Sequence, residues 1–77
     1  MKDLLEYLAK GLVDSPGDVS VDSFEEEDGT LVLELHVADD DVGKVIGRSG
    51  RTVNALRTVI RASAVKHGRR VLIDVVD

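Results

Sequence analysis

Leu31, Leu33, Leu35 and Val37 fall on every second residue just after an Asp28-Gly29 pair, and this alternation constrains the fold more tightly than any other feature of the sequence. A period of two sends those four side chains to one face of a sheet and Val32, Glu34 and His36 to the other. Upstream, Val19, Val21 and Ser23 alternate with polar neighbours up to Phe24, and Asp28-Gly29 reads as a hairpin turn, so the spacing predicts two antiparallel strands. Helical patterns lie on either side. Leu4, Leu5, Leu8 and Leu12 recur at helical spacing, with Asp3 as the expected cap, until about Val13, where Asp14-Ser15-Pro16-Gly17-Asp18 forms a stop and turn cluster. After the hairpin, a short helix from roughly Asp40 to Val45 meets Gly47 and Gly50. A longer one from Arg51 to Lys66 puts Val53, Leu56, Ile60 and Ala64 on one stripe and Arg57 and Arg61 on the stripe beside it. Gly68 is the expected C-cap, and Val71, Leu72, Ile73, Val75 and Val76 form the nearly continuous apolar run of a strand buried on both faces.

The order is therefore helix, strand, strand, helix, helix, strand. Three strands need cover on one face, and three helices supply it, which gives an α+β two-layer sandwich. With 77 residues, 43% of them hydrophobic, the chain holds one small core, and residues 1–77 are expected to form a single domain. The absence of cysteine excludes a disulfide scaffold and a zinc-thiolate site. Apolar runs of only a few residues exclude a membrane span, and Met1-Lys2-Asp3 opens no secretory signal, so a cytoplasmic address is expected.

Charge is divided unevenly along the chain. Residues 1–43 carry thirteen acids against Lys2 and Lys10, whereas residues 44–70 carry Lys44, Arg48, Arg51, Arg57, Arg61, Lys66, Arg69 and Arg70 and no acid at all. A formal net charge of -5 thus conceals a basic segment of +8. Such a segment cannot relieve its own repulsion through internal Glu-Lys pairs. It calls for an anionic partner or for the acids of the first half. Asp39-Asp40-Asp41 resembles a metal cluster by composition, but adjacent side chains diverge, and acids ahead of a helix are favoured as caps and by its dipole.

The two glycines three apart sit among those bases, in Gly43-Lys44-Val45-Ile46-Gly47-Arg48-Ser49-Gly50-Arg51-Thr52-Val53. Glycine permits positive φ and close backbone approach, and the helix N-terminus that follows presents unpaired N–H groups to an anion. A tight corner between two helices would use the glycines for geometry alone. Lys44, Arg48 and Arg51 on both sides of the turn favour phosphate instead. The dinucleotide fingerprint fails because Val45 stands where its first glycine belongs. A Walker loop from Gly43 fails because Arg48 and Ser49 stand where glycine and lysine are required.

Val45-Ile46-Gly47-Arg48-Ser49-Gly50-Arg51-Thr52-Val53 resembles the V-I-G-x-x-G-x-x-[IV] signature of KH domains, single-strand RNA modules whose GxxG loop clamps a four-nucleotide backbone. Two strands and a helix before the loop and one strand after it resemble the type II arrangement. From the opening helix through Leu12-Val13-Asp14-Ser15-Pro16 and on to Leu56-Arg57, the whole chain is similar to the small bacterial single-KH RNA-binding proteins of the KhpA type. The resemblance implies a groove for single-stranded RNA between the loop with its two helices and a strand edge, used in post-transcriptional regulation or as an RNA chaperone. Gly47, Arg48, Ser49 and Gly50 would meet the sugar-phosphate backbone, with Lys44 and Arg51 adding charge. Ile46 and Val53 match apolar motif positions as core or groove floor, while Asn54, Arg57 and Arg61, on the exposed side of the long helix, either touch phosphate or are solvated. The only aromatics, Tyr7 and Phe24, lie outside the motif, so no stacking platform is expected.

The resemblance also implies a homodimer, and a heteromer with a larger protein that carries its own KH domain. A pure interaction module, in which one copy's acidic half pairs with another's basic half, is the rival function. Catalysis has little support. There is no cysteine nucleophile, no histidine pair at ligand spacing and no base near Ser49 in sequence, and no cofactor is called for. His36 reads as a polar strand-face residue and His67 as a partner for a helix C-terminal dipole.

Overall fold

A computed structural model describes residues 1–76. Its elements follow the expected order: α1 (Lys2–Lys10), β1 (Ser20–Glu25), β2 (Leu31–His36), α2 (Val42–Ile46), α3 (Arg51–Lys66) and β3 (Val71–Val76), with 3-10 turns at Pro16–Asp18, Asp39–Asp41 and Arg48–Gly50. The sheet order is β1-β2-β3, with β1 antiparallel and β3 parallel to β2. The parallel pair is joined through α2 and α3, the helical crossover such a pair requires.

All three helices pack on one face. Leu5 and Ala9 of α1, Val45 of α2, and Leu56, Ile60 and Ala64 of α3 meet Val21, Leu33, Leu35, Val71 and Ile73 of the sheet in one core. The period-two reading of Leu31–Val37 is thereby borne out: Leu33 and Leu35 are fully buried. Burying a side chain of that size is worth about 2 kcal/mol, so the alternation fixes the register of β2.

Three expectations need correction. The first helix ends at Lys10 rather than near Val13, and Gly11 and Leu12 continue only as a turn, donating to Leu8 O at 3.2 Å and Ala9 O at 3.0 Å. Asp3 does not cap it. The N-cap is Met1, whose carbonyl accepts Leu5 N–H at 3.0 Å, and Asp3 lies inside the first turn, where its charge still favours the dipole. Finally, β3 is not buried on both faces. It is the edge strand of a sheet covered on one side, and Leu72 is 45% exposed. Its second set of apolar residues has a local cause: Leu72 pairs in register with Val32, and Val32 with Phe24, so two half-exposed side chains flank Val32 on the open face and leave it 5% exposed.

The β1-β2 hairpin closes with Glu26 N–H donating to Thr30 O at 2.8 Å, which leaves a loop of Glu27, Asp28 and Gly29 with Gly29 at φ 87°. Asp28 Oδ1 accepts Thr30 N–H at 2.9 Å, and this bond holds the Asp28 carboxyl below its usual range.

Candidate nucleic-acid interface

The α2-α3 corner is built from backbone that few residues adopt. Gly47 N–H closes α2 on Gly43 O at 2.8 Å, after which Gly47 takes φ 75° and turns the chain out of the helix. Ser49 follows at φ 55° and Gly50 at φ 75°, so three of the four loop residues have positive φ. At Gly47 the requirement is double: a Cβ there would also stand 2.9 Å from the backbone nitrogen of Thr52, which cannot yield. At Gly50 only φ matters, since a Cβ would meet nothing closer than Asn54 Nδ2 at 3.8 Å. Ser49 holds a conformation that costs a side-chain-bearing residue about 1–2 kcal/mol, and strain of this kind gathers at functional loops.

This turn delivers an open helix N-terminus. No side chain caps α3, and its first turn contains no acid. Gly50 N–H donates to Gly47 O at 3.2 Å and Arg51 N–H to Arg48 O within the loop, no side chain accepts from the rest of the first turn, and the helix dipole adds positive potential at the same point. Arg48, Ser49 and Arg51 are exposed around it, and among the described residues neither arginine pairs with a carboxylate. Val53 is buried beneath Gly50, and Ile46 is 38% exposed beside the loop.

The open edge of β3 forms the facing wall. Leu31 N–H donates to Arg70 O at 2.9 Å, so by the alternation of a parallel ladder Ile73 O points away from β2 to the free edge. Arg57 reaches across from α3 and donates Nη2–H to that carbonyl at 3.3 Å, while its Nη1–H donates to Asn54 Oδ1 at 3.3 Å. Placing Arg57 on the exposed side of the helix is therefore corrected: it is half-buried between α3 and the edge strand, whereas Asn54 and Arg61 are exposed as expected.

Behind the loop sits a polar clasp that the sequence did not disclose. Asp41, 1% exposed, accepts Asp14 N–H at 3.2 Å and Ser15 N–H at 3.0 Å, tying the turn after α1 to the start of α2. Its carboxylate is not the helix cap expected of the Asp39–Asp41 run, since α2 has no side-chain cap bond. Lys44 Nζ lies 3.5 Å from Asp41 Oδ1 and pairs with Asp14 as well. Burial works against charge on Asp41, but the two N–H groups and the ammonium outweigh it and hold the carboxyl below its ordinary range. The Asp14 carboxylate, opposed by partial burial and helped by Asp41, raises Lys44 above its own. Thr52, which packs against Gly47, was also missed. Composition marks neither residue: the three aspartates are identical letters, and only the tertiary position of the Asp14–Ser15 turn singles out the third.

Comparison with known proteins agrees with this fold. Residues 2–75 match the family model described as KhpA/KhpB, KH domain. The chain is 53% identical over 78 residues to the RNA-binding protein KhpA of Halalkalibacterium halodurans, with all of both chains covered. It is 50% identical over 76 residues to the RNA-binding protein KhpA of Clostridium acetobutylicum, covering 99% of this chain and 100% of that one. Against the RNA-binding protein KhpA of Streptomyces coelicolor it is 52% identical over 77 residues, covering 100% and 92%. No solved structure gives a significant match. Signature, element order and full-length identity converge, and the chain belongs to the KhpA/KhpB family of KH domains.

Proposed function

We propose that this chain is an RNA-binding protein that holds single-stranded RNA in the groove between the Gly47–Gly50 loop and the open edge of β3. The observation that carries the proposal is the N-terminus of α3, without a side-chain cap or an acid in its first turn, entered through a loop of positive φ and flanked by two arginines without carboxylate partners among the described residues. The names of the relatives, RNA-binding proteins at about half identity over the full chain, supply the ligand class.

Gly47, Arg48, Ser49 and Gly50 take the sugar-phosphate backbone, with Arg51 adding charge, Val53 supporting the loop from below and Ile46 offering an aliphatic contact. Asn54 and Arg57 line the base side. Arg57 occupies the Ile73 carbonyl, the edge group that a base would approach, so binding requires its guanidinium to swing toward phosphate. Lys44 contributes by holding the clasp that positions α2. Residues 1–77 act as one domain, without catalysis, in post-transcriptional regulation or as an RNA chaperone, in the cytoplasm. No helix among the described residues is long and apolar enough to cross a membrane. A flat dependence of affinity on salt would sink the phosphate clamp: three phosphate contacts predict log affinity falling against log salt with a slope of roughly -2, measured by fluorescence anisotropy on a short single-stranded RNA.

Self-association is compatible with this function. A shallow apolar groove between α1 and α3, lined by Leu8, Leu12, Ala55 and Val59, stays open, with Val59 46% and Leu12 39% exposed. It lies away from the β3 edge and suits a second copy or the KH domain of a larger partner. Val59→Asp separates the functions: sedimentation should report a monomer, and RNA binding should survive in it.

A further inference from the structure

The face of the sheet that the helices leave open carries a second cluster of chemistry, remote from the loop. On that face Asp22 of β1 stands in register with Glu34 of β2, Glu34 with Asp74 of β3, and His36 follows Glu34 by two residues. Like charges set directly opposite one another on a sheet repel, and among the described residues no lysine or arginine pairs with any of these carboxylates. His36 is the one basic group that meets them: its Nε2 lies 3.1 Å from Asp22 Oδ2. Yet that nitrogen is shielded from solvent and makes no hydrogen bond. One donor atom from each of Asp22, Glu34 and His36 lies within 4.8 Å of the other two.

We propose that Asp22, Glu34 and His36 form a binding site for a first-row transition dication of the zinc type. The donor set is one imidazole nitrogen and two carboxylate oxygens. That mixture suits zinc, cobalt or manganese, whereas magnesium and calcium prefer oxygen alone. Ligand atoms about 2 Å from a tetrahedral ion stand about 3.3 Å apart; His36 and Asp22 are at 3.1 Å, and Glu34, whose carboxylate oxygen is within 4.8 Å of both, would close the remaining gap when the ion binds. Strands hold such a triad firmly, because its three backbone positions are fixed by the β1-β2 ladder. The ion would relieve the carboxylate repulsion and supply the partner that His36 Nε2 lacks, with water completing its shell. Asp74, beside Glu34 in register, adds negative field. Since β1 lies at the opposite edge of the sheet from β3, the site is separate from the proposed RNA groove and does not depend on it.

The test is titration of the intact protein with zinc chloride, followed by calorimetry and by two-dimensional NMR of amides and histidine ring carbons. One zinc equivalent should bind, moving the His36 ring and the amides around Asp22 and Glu34 while Gly47 to Arg57 stay still. Removing a direct ligand should cost more than the about 10–100-fold that outer-shell partners are worth, so His36→Gln and Glu34→Gln should each lose at least that much affinity. Amide dispersion in the same spectra verifies that these open-face variants are folded. His67→Gln, the control for casual binding at the other histidine, should bind zinc unchanged. No saturable binding, or an equal loss in His67→Gln, would overturn the proposal.

Discussion

The two ends of α3 are spelled with the same letters, glycine and arginine, and behave differently. At the C-terminal end Gly68 turns the chain at φ 68°, His67 Nδ1 meets Ser63 O at 2.8 Å, Arg69 N–H donates to Ala64 O at 2.8 Å, and the Arg69 side chain pairs with Glu25 at 2.8 Å. The backbone and the Arg69 side chain are satisfied internally at that end, while Lys66 and Arg70 are exposed and pair with no carboxylate among the described residues. At the N-terminal end Gly47, Ser49 and Gly50 all take positive φ, no side chain caps the helix, and among the described residues Arg48 and Arg51 have no carboxylate partner. Basic residues alone do not make an anion site. What distinguishes the proposed one is that its unpaired arginines stand at a helix N-terminus with no side-chain cap and no acid in its first turn.

The largest expected effect tests that difference directly. Arg48→Asp with Ser49→Asp should abolish RNA binding in an anisotropy titration while the circular dichroism spectrum stays native, because aspartate tolerates the left-handed position at residue 49. Arg69→Asp with Arg70→Asp, a larger change in formal charge at the satisfied end, should weaken binding only modestly. Equal losses from the two pairs would reduce the site to overall charge.

Next in size are the glycines. Gly47→Ala should destabilise the protein by about 3 kcal/mol or more in urea unfolding, from a backbone conformation essentially confined to glycine, which alone costs about 1–3, and from crowding against Thr52. Gly68→Ala, with the same sign of φ and nothing within 4 Å, should cost only about 1 kcal/mol. A similar cost at both would mean that Thr52 moves aside and the loop is looser than described.

Smaller still is the pH response of the clasp behind the loop. Asp41 has a lowered folded value, so its contribution to stability is complete above the ordinary 3.8 and disappears as pH falls through the folded value below that. Lys44 has a raised one, so its contribution is complete below 10.5 and disappears as pH rises through the folded value above that. Thermal midpoints should be level between these limits and fall on both sides, and Asp41→Asn should lower the plateau and blunt the acid limb. An unchanged acid limb in Asp41→Asn would remove Asp41 from the clasp.

Local pattern made most of the fold legible. The alternation at Leu31–Val37 and the stripe Val53, Leu56, Ile60, Ala64 each have a period that only one secondary structure satisfies, and β2 and the buried face of α3 stand where those periods put them. The errors fell where tertiary context decides. The apolar run of β3 does not say whether its second face meets helices or merely two cross-strand neighbours. Asp41 looks like a cap and Arg57 like an exposed side chain, for phosphate or for water, until the Asp14–Ser15 turn and the Ile73 carbonyl arrive from distant parts of the chain. The loop itself was legible because its requirement is local: two glycines at fixed spacing, ahead of a helix, among bases.

The central claim is best tested by a two-dimensional amide NMR titration of the labelled protein with a randomised short single-stranded RNA at moderate salt, with single-stranded DNA as comparator. Shifts concentrated at Gly47 to Arg57 and along Val71 to Val75, with the His67–Arg70 turn barely moved, are the predicted result. Silence at the loop with either nucleic acid, while linewidths grow with protein concentration, would contradict the claim and leave the α1-α3 groove as the working surface of the molecule.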